Sequence, residues 1–226
     1  LTFNNIELEK DLKDFLDLYY TFEINEGESS DTVLLTGFVN IITVAGEFLD
    51  SYQITISCSK KYYPYTIPIV IEKSQKIFRH WDNHISAKGE CCLSIPHNLI
   101  MMKNRGIVLK KFYSDVIYPF FANYHYKKLS GEYANGEYAH FDQGIIQYYR
   151  ESFSLVDPLH IKRILEAALG NHDFPSYHIC PICGNRKYKK CCRKIIYKLL
   201  PLGKERLKED LKIFNKRAKE IPPTIL

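Results

Sequence analysis

Four cysteines crowded into thirteen residues, Cys180, Cys183, Cys191 and Cys192, restrict how the C-terminal part of this chain can fold more than any apolar pattern does. Cys180-Pro181-Ile182-Cys183-Gly184 is a Cys-x-x-Cys knuckle, and the cysteine pair follows it after seven residues. Four thiolates suit a closed tetrahedral Zn²⁺ site, and Gly184 lets the chain turn so that knuckle amides face the sulfurs. A redox dithiol or free thiols are the other readings of a Cys-x-x-Cys, but a second pair at this distance does not suit a thioredoxin-like site. A closed four-sulfur site leaves no position for a substrate water. The expected metal is therefore structural, holding a small annex together.

The remaining cysteines, Cys58, Cys91 and Cys92, bring the total to seven. An odd, clustered set behind a start without signal character argues for reduced thiols in a cytoplasm and against a secreted disulfide scaffold. The chain begins at Leu1 and not at Met, which leaves room for a trimmed or partial start. No apolar run approaches the roughly 18 residues that a membrane span requires. With 46% hydrophobic and 14% aromatic side chains, 226 residues can bury a real core as one large domain or as a main domain with an annex.

The formal charge of +5 is too small to announce a nucleic-acid binder. It conceals an asymmetry: residues 1–31 hold nine acids and two lysines, and residues 162–226 hold sixteen basic residues and six acids. A two-part chain is expected, with a main domain over residues 1–155 and a helical annex over 156–226. The basic end suits an acidic partner, nucleic acid or simply solvent. Near the cluster, Arg186, Lys187, Lys189 and Lys190 can touch phosphates or offset the charge of four thiolates.

Leu8, Leu12, Phe15, Leu16 and Tyr19 recur at helical spacing and predict an amphipathic helix over residues 6–21. The polar turn from Gly27 to Asp31 leads into two β-rich runs, Val33 to Val44 and Phe48 to Ser57, separated by Ala45-Gly46, which read as a meander. The prolines of Tyr63-Pro64-Tyr65-Thr66-Ile67-Pro68 interrupt the ladder before a short strand at Ile69 to Glu72. From Phe78 to Asn104 the periodicity is weak, which reads as a long loop carrying Cys91-Cys92. Further helices are expected from Ile107 to Tyr124, from Ile145 to Ser152, over residues 157–169 behind the Asp157-Pro158 start, and over 204–220, the last stopped by Pro222-Pro223.

A thiol in an exposed loop is a better nucleophile than one inside a strand, so Cys92 is the catalytic candidate and Cys58 a buried structural residue. In an extended segment adjacent side chains point to opposite sides, so only one of Cys91 and Cys92 is expected to face a substrate. The order helix, meander, Tyr63-Pro64 to Pro68, long loop with Gly89-Glu90-Cys91-Cys92-Leu93, then helix resembles the ubiquitin-conjugating (UBC) fold over roughly residues 1–155. In that family Gly-x-x-Cys-Leu bears the thioester cysteine, which falls on Cys92. His84 stands where the family has the asparagine of its His-Pro-Asn tripeptide. It can donate to a tetrahedral oxyanion, act as a general base, or brace the loop.

The stretch from His84 to Leu93 is similar to the conjugating-enzyme-like proteins of short type II CBASS antiphage operons. Gly136-Glu137-Tyr138-Ala139-His140 and Gly144-Ile145-Ile146-Gln147-Tyr148-Tyr149 add to that likeness, with Phe141 where a glycine is expected. His178 to Cys192 resembles the SEC-C motif, with one extra residue in the first cysteine pair and Asn185 for its serine. These resemblances imply an α+β protein, a UBC-like antiparallel meander packed with helices plus a small C-terminal zinc-binding helical annex. They imply a cytoplasmic cysteine acyltransferase acting in antiphage defence. Cys92 would form a thioester with a protein C-terminus, that of the operon's cGAS-like nucleotidyltransferase, and pass it to a lysine amine. The loop aromatics Phe78 and Trp81 read either as a shield that keeps water from the thioester or as a satellite of the core. The rival expectations are a catalytically silent UBC-like scaffold that binds the nucleotidyltransferase, and a zinc protein that binds nucleic acid. A homodimer is compatible with the sequence, a membrane partner is not expected, and no Gly-rich phosphate loop is present.

Overall fold

The computed structural model describes residues 5–26, 31–134 and 139–220. The fold is α+β. Its contacts divide the chain into two compact units, Leu1–Glu137 and Tyr138–Leu226.

The first unit opens with helix α1, Ile6–Leu18, whose start is fixed by Asn5. The Asn5 carboxamide oxygen accepts from the Leu8 amide at 3.1 Å, and its nitrogen donates to the Lys60 and Tyr63 carbonyls at 3.2 and 2.8 Å. One side chain thus caps the helix and anchors it to distant chain. Leu8, Leu12 and Phe15 form the buried stripe.

Strands β1 (Glu23–Glu26), β2 (Thr32–Ile42), β3 (Phe48–Ser59) and β4 (Ile69–Glu72) form one antiparallel sheet in sequential order. Along β2, Val33, Leu35, Val39 and Ile41 point into the core with the period of two that a sheet with one buried face requires. Gly37 occupies the inward position between Leu35 and Val39, where a Cβ would lie 2.5 Å from the Phe22 ring. The meander follows the sequence expectation closely. β1 was not expected, because four residues with two glutamates carry almost no apolar pattern.

The weakly patterned stretch from Phe78 to Asn104 is not all loop. It contains a 3₁₀ turn at Trp81–Asn83 and a helix, α2, over Pro96–Arg105. Only His97 of α2 is fully buried, so the segment lacks the apolar stripe that would have revealed it. The expected helix from Ile107 to Tyr124 is α3 (Leu109–Phe112), a π turn (Tyr113–Ile117) and α4 (Tyr118–Ser130). Pro119, which has no N–H to donate, is the second residue of α4, one position beyond the first residue after the π turn, where the wider winding accommodates a missing ladder bond. Phe112, Ile117 and Phe121 complete the core, with the Phe121 ring 5.2 Å from that of Tyr52 on β3.

The second unit holds α5 (Phe141–Phe153), α6 (Pro158–Leu169), α7 (Cys192–Leu199) and α8 (Lys204–Lys219). Asp157 caps α6 by accepting from the Leu159 and His160 amides, and Gly170 closes that helix as expected. The expected stop at Pro222-Pro223 lies outside the described residues. Helix α6 packs on α7 and α8. The expected boundary at residue 155 is displaced, because α5 belongs to this unit. The Tyr149 hydroxyl donates to the buried Asp210 carboxylate at 2.8 Å, and its ring lies 5.1 Å from Phe214. Arg206 contacts the other Asp210 oxygen at 2.7 Å, so the buried charge is paired as well as hydrogen-bonded.

Replacing Tyr149 by Phe keeps the ring and removes one hydrogen bond to a buried carboxylate. Native-state hydrogen exchange in α5 and α8 is expected to show a loss of about 1.5–3 kcal/mol of protection. Unchanged protection would show that the hydroxyl contributes nothing.

Candidate functional site

After β4 the chain loops out and returns to the free edge of that strand. The Glu72 amide donates to the Gly89 carbonyl and the Cys91 amide to the Val70 carbonyl, both at 2.8 Å. Gly89 to Cys91 therefore lies as a short extra rung on the sheet, and the alternation of extended chain sorts the two thiols. Cys91 is turned inward with 8% exposure, and Cys92 is exposed. Gly89 is required at the approach: its φ is +85°, and a Cβ would stand 2.8 Å from the Glu72 carbonyl oxygen. Cys58 is buried, in accordance with its place in β3.

Burial, then the Glu72 carboxylate, pushes the Cys91 thiol up to about 12. Partial desolvation, then the Glu90 carboxylate, also raises the Cys92 thiol. Both cysteines are thus thiols near neutral pH, and a reaction at Cys92 has to remove its proton as the nucleophile attacks.

The loop ahead of Cys92 is braced from several sides. His84 sits in the left-handed region with φ +53°, and its carbonyl accepts from the Cys92 amide at 2.8 Å. Asparagine and histidine enter that region more readily than most residues, which gives a physical reason for either at this position. The link from His84 to Cys92 runs through backbone atoms. The imidazole lies 5.9 Å from the Tyr133 ring. On α4, the Lys127 ammonium donates to the Asp82 carbonyl at 2.7 Å and to the Asn83 side-chain oxygen at 3.3 Å, while lying over the Tyr133 ring. The Tyr133 hydroxyl also donates to the Asp82 carbonyl. Asn83 in turn donates to the Phe78 carbonyl at 3.1 Å.

Under the loop, the Glu72 carboxylate is fully buried and accepts from the Ser74 hydroxyl, the Gln75 amide and the Arg79 guanidinium, the last at 2.5 Å. Arg79 donates further to the Glu72 carbonyl at 2.7 Å. Sequence reading missed Glu72, Arg79, Lys127 and Tyr133. Glu72 left a trace, being a charge two residues after the inward-facing Val70. The partnership of Lys127 with residues some 45 positions earlier left none. Residues 136–138 of the Gly136-to-His140 segment lie outside the described residues. Phe141, where glycine was expected, has φ +54°, a conformation that glycine adopts without steric cost.

The second constellation lies in the other unit. The Sγ atoms of Cys180, Cys183, Cys191 and Cys192 all fall within 4.8 Å of one another. A tetrahedral site with metal–sulfur bonds of about 2.3 Å needs sulfurs about 3.8 Å apart, so the group can hold a metal ion after small adjustments. Cys183 and Cys191 are 3.1 Å apart and Cys191 and Cys192 3.8 Å. The knuckle is closed by the Cys180 amide donating to the Arg186 carbonyl at 2.7 Å and the Gly184 amide to the Cys180 carbonyl at 2.8 Å. Gly184 turns the chain with φ +68°. One residue absent from the sequence reading joins in: His160 of α6 places Nε2 3.2 Å from the Cys192 sulfur.

No protein-family model, no curated protein and no solved structure matches the chain. Among the described residues, no helix is long and apolar enough to cross a membrane.

Iodoacetamide at about pH 8 is expected to label Cys92 in the folded, metal-loaded protein while sparing Cys91 and Cys58, as read by peptide mass spectrometry. Because the Cys92 thiol is raised, its labelling rate is expected to keep climbing with pH beyond the ordinary thiol range near 8.5. Labelling of Cys91 ahead of Cys92 would mean that the two side chains face the other way.

Proposed function

We propose that the first unit is a UBC-like cysteine acyltransferase and that Cys92 is its nucleophile. The observation that carries this reading is the outward presentation of one thiol of an adjacent pair, from a braced loop on the free edge of a four-stranded meander. The order of helix, meander, thiol loop and helix supports it, as does the left-handed residue eight positions before the thiol. In the reaction, the Cys92 sulfur attacks an activated C-terminal carbonyl, loses its proton to a base and expels the donor's leaving group. A lysine amine then attacks the thioester carbonyl, the Cys92 thiolate leaves, and an amide forms with release of a proton. One difficult acyl transfer becomes two easier ones. Phe78 and Trp81, both exposed on the loop, would screen the thioester from water.

The donor proposed is the C-terminus of a cGAS-like nucleotidyltransferase from the same operon, and the setting is antiphage defence. His84 serves this reaction as a positioning residue through its carbonyl. A second reading, a silent scaffold that only binds the donor, is favoured by one observation. Among the described residues no side chain hydrogen-bonds the Cys92 sulfur, and its pKa is raised.

The metal in the second unit is proposed to be Zn²⁺, since four thiolates in a closed tetrahedron select a borderline-soft, four-coordinate ion. Cys180, Cys183, Cys191 and Cys192 would hold it, and its contribution is to cross-link the stretch before α7 into a folded unit. His160 would hydrogen-bond a bound sulfur. Elemental analysis of the purified protein should find about one equivalent of zinc, and Cys183→Ser should lower it and destabilise the second unit. Full folding of a metal-free protein would remove the structural role.

Intact-mass measurement after incubation with the activated donor should show one thioester adduct, cleaved by hydroxylamine. Cys92→Ala should abolish it, and Cys92→Ser should convert it to a slower-forming, hydroxylamine-resistant ester. Donor binding with no adduct from the unmodified protein would establish the scaffold instead.

A further inference from the structure

An open cavity of about 470 Å³ lies between the end of β4 and the turn before Cys91, lined among others by Lys73, Ile77, Phe78, Arg79 and Lys88. Three cations meet one carboxylate there, and that carboxylate is spoken for. Glu72 is fully buried and already accepts from the Arg79 guanidinium, the Ser74 hydroxyl and the Gln75 amide. Lys73 and Lys88 are exposed, and among the described residues neither ammonium is paired with an acid. A surface lysine usually means no more than a solvated charge. Two of them facing one cavity across a guanidinium, with no acid left to balance them, make a local positive field that favours an anion.

The walls narrow the choice of anion. The Phe78 ring is 74% exposed on the cavity lining, with the buried Ile77 next to it. An exposed aromatic ring is an apolar face on which a planar ring system can stack. The volume falls within the range of small-molecule sites and exceeds what an inorganic ion fills. We propose that this cavity binds a phosphate-bearing small molecule of nucleoside monophosphate size, with Lys73 and Lys88 on the phosphate and Phe78 against the ring system. Lys88 stands four residues before Cys92, so extended chain cannot separate them by more than about 14 Å. The site goes beyond the acyl-transfer reading and does not depend on it.

The test uses the full chain, loaded with metal, and two probes titrated separately, AMP and inorganic phosphate. Amide shifts in heteronuclear NMR spectra should saturate with AMP and centre on residues 72–79 and 86–90. Phosphate alone should move the same amides more weakly. The double variant Lys73→Glu/Lys88→Glu should weaken AMP about tenfold or more. Phe78→Ala should weaken AMP and leave phosphate unchanged, and affinity for both probes should fall with added salt. Lys208→Glu, in the other unit, should change nothing. Cys92→Ala should bind AMP like the parent, so failure of acyl transfer and failure of this site are separate results. Absence of saturation with either probe, shifts centred elsewhere, or equal losses from the double variant and from Lys208→Glu would each overturn the proposal. The shift map on the unsubstituted protein decides the matter even if the double variant does not fold.

Discussion

Two main-chain hydrogen bonds at the free edge of β4 govern the first unit's site. Donation from Glu72 to Gly89 and from Cys91 to Val70 converts the end of a long loop into sheet. Once that register is set, one thiol must face the core and the other must face out. A slip by a single residue would exchange the two, turning Cys92 into the core and presenting Cys91 in its place. The register is protected from both directions. The Arg79–Glu72 pair and the glycine at position 89 fix the approach, and His84, Lys127 and Tyr133 fix the turn above it. The polar brace around Glu72 is costly to break, because removing Arg79 would strand a buried carboxylate.

The second unit solves a different problem. From Asn171 to Cys191 the only regular element among the described residues is a single 3₁₀ turn, too little to build a core of its own. The four sulfurs meet where such a core would be. Cys192 opens α7, Cys191 precedes it, and the knuckle approaches from the turn at Gly184. Contact between His160 and Cys192 ties the cluster to α6, and α6 packs on α8, so a metal there would be continuous with the helical core. Asp210 adds a polar pin between α5 and α8 through Tyr149.

Much of this was legible from sequence because its signals are local. The apolar spacing of α1, the alternation of β2, the Asp157-Pro158 start of α6 and the Cys-x-x-Cys knuckle each sit within a dozen residues. What stayed hidden depends on long-range partners or on weak stripes. Helix α2 buries a single histidine, and β1 exists because β2 offers it an edge. The assignment of α5 to the second unit rests on Tyr149 meeting Asp210 and Phe214, some sixty residues later. The different facing of Cys91 and Cys92 followed from strand geometry, whereas which of them faced out depended on a register that no local pattern reveals. Positive φ at His84 is likewise invisible until the turn around it is built.

The central claim is that the sulfur presented outward by this register accepts acyl groups. A short peptide carrying a C-terminal thioester supplies an activated carbonyl without any partner protein, and exchange onto the protein can be mapped by digestion at low pH. The account predicts the acyl mass on the Cys92 sulfur of the folded protein, with Cys91 modified only after unfolding. Acylation of Cys91 in the folded state, or of the C-terminal cysteines while Cys92 stays free, would contradict it.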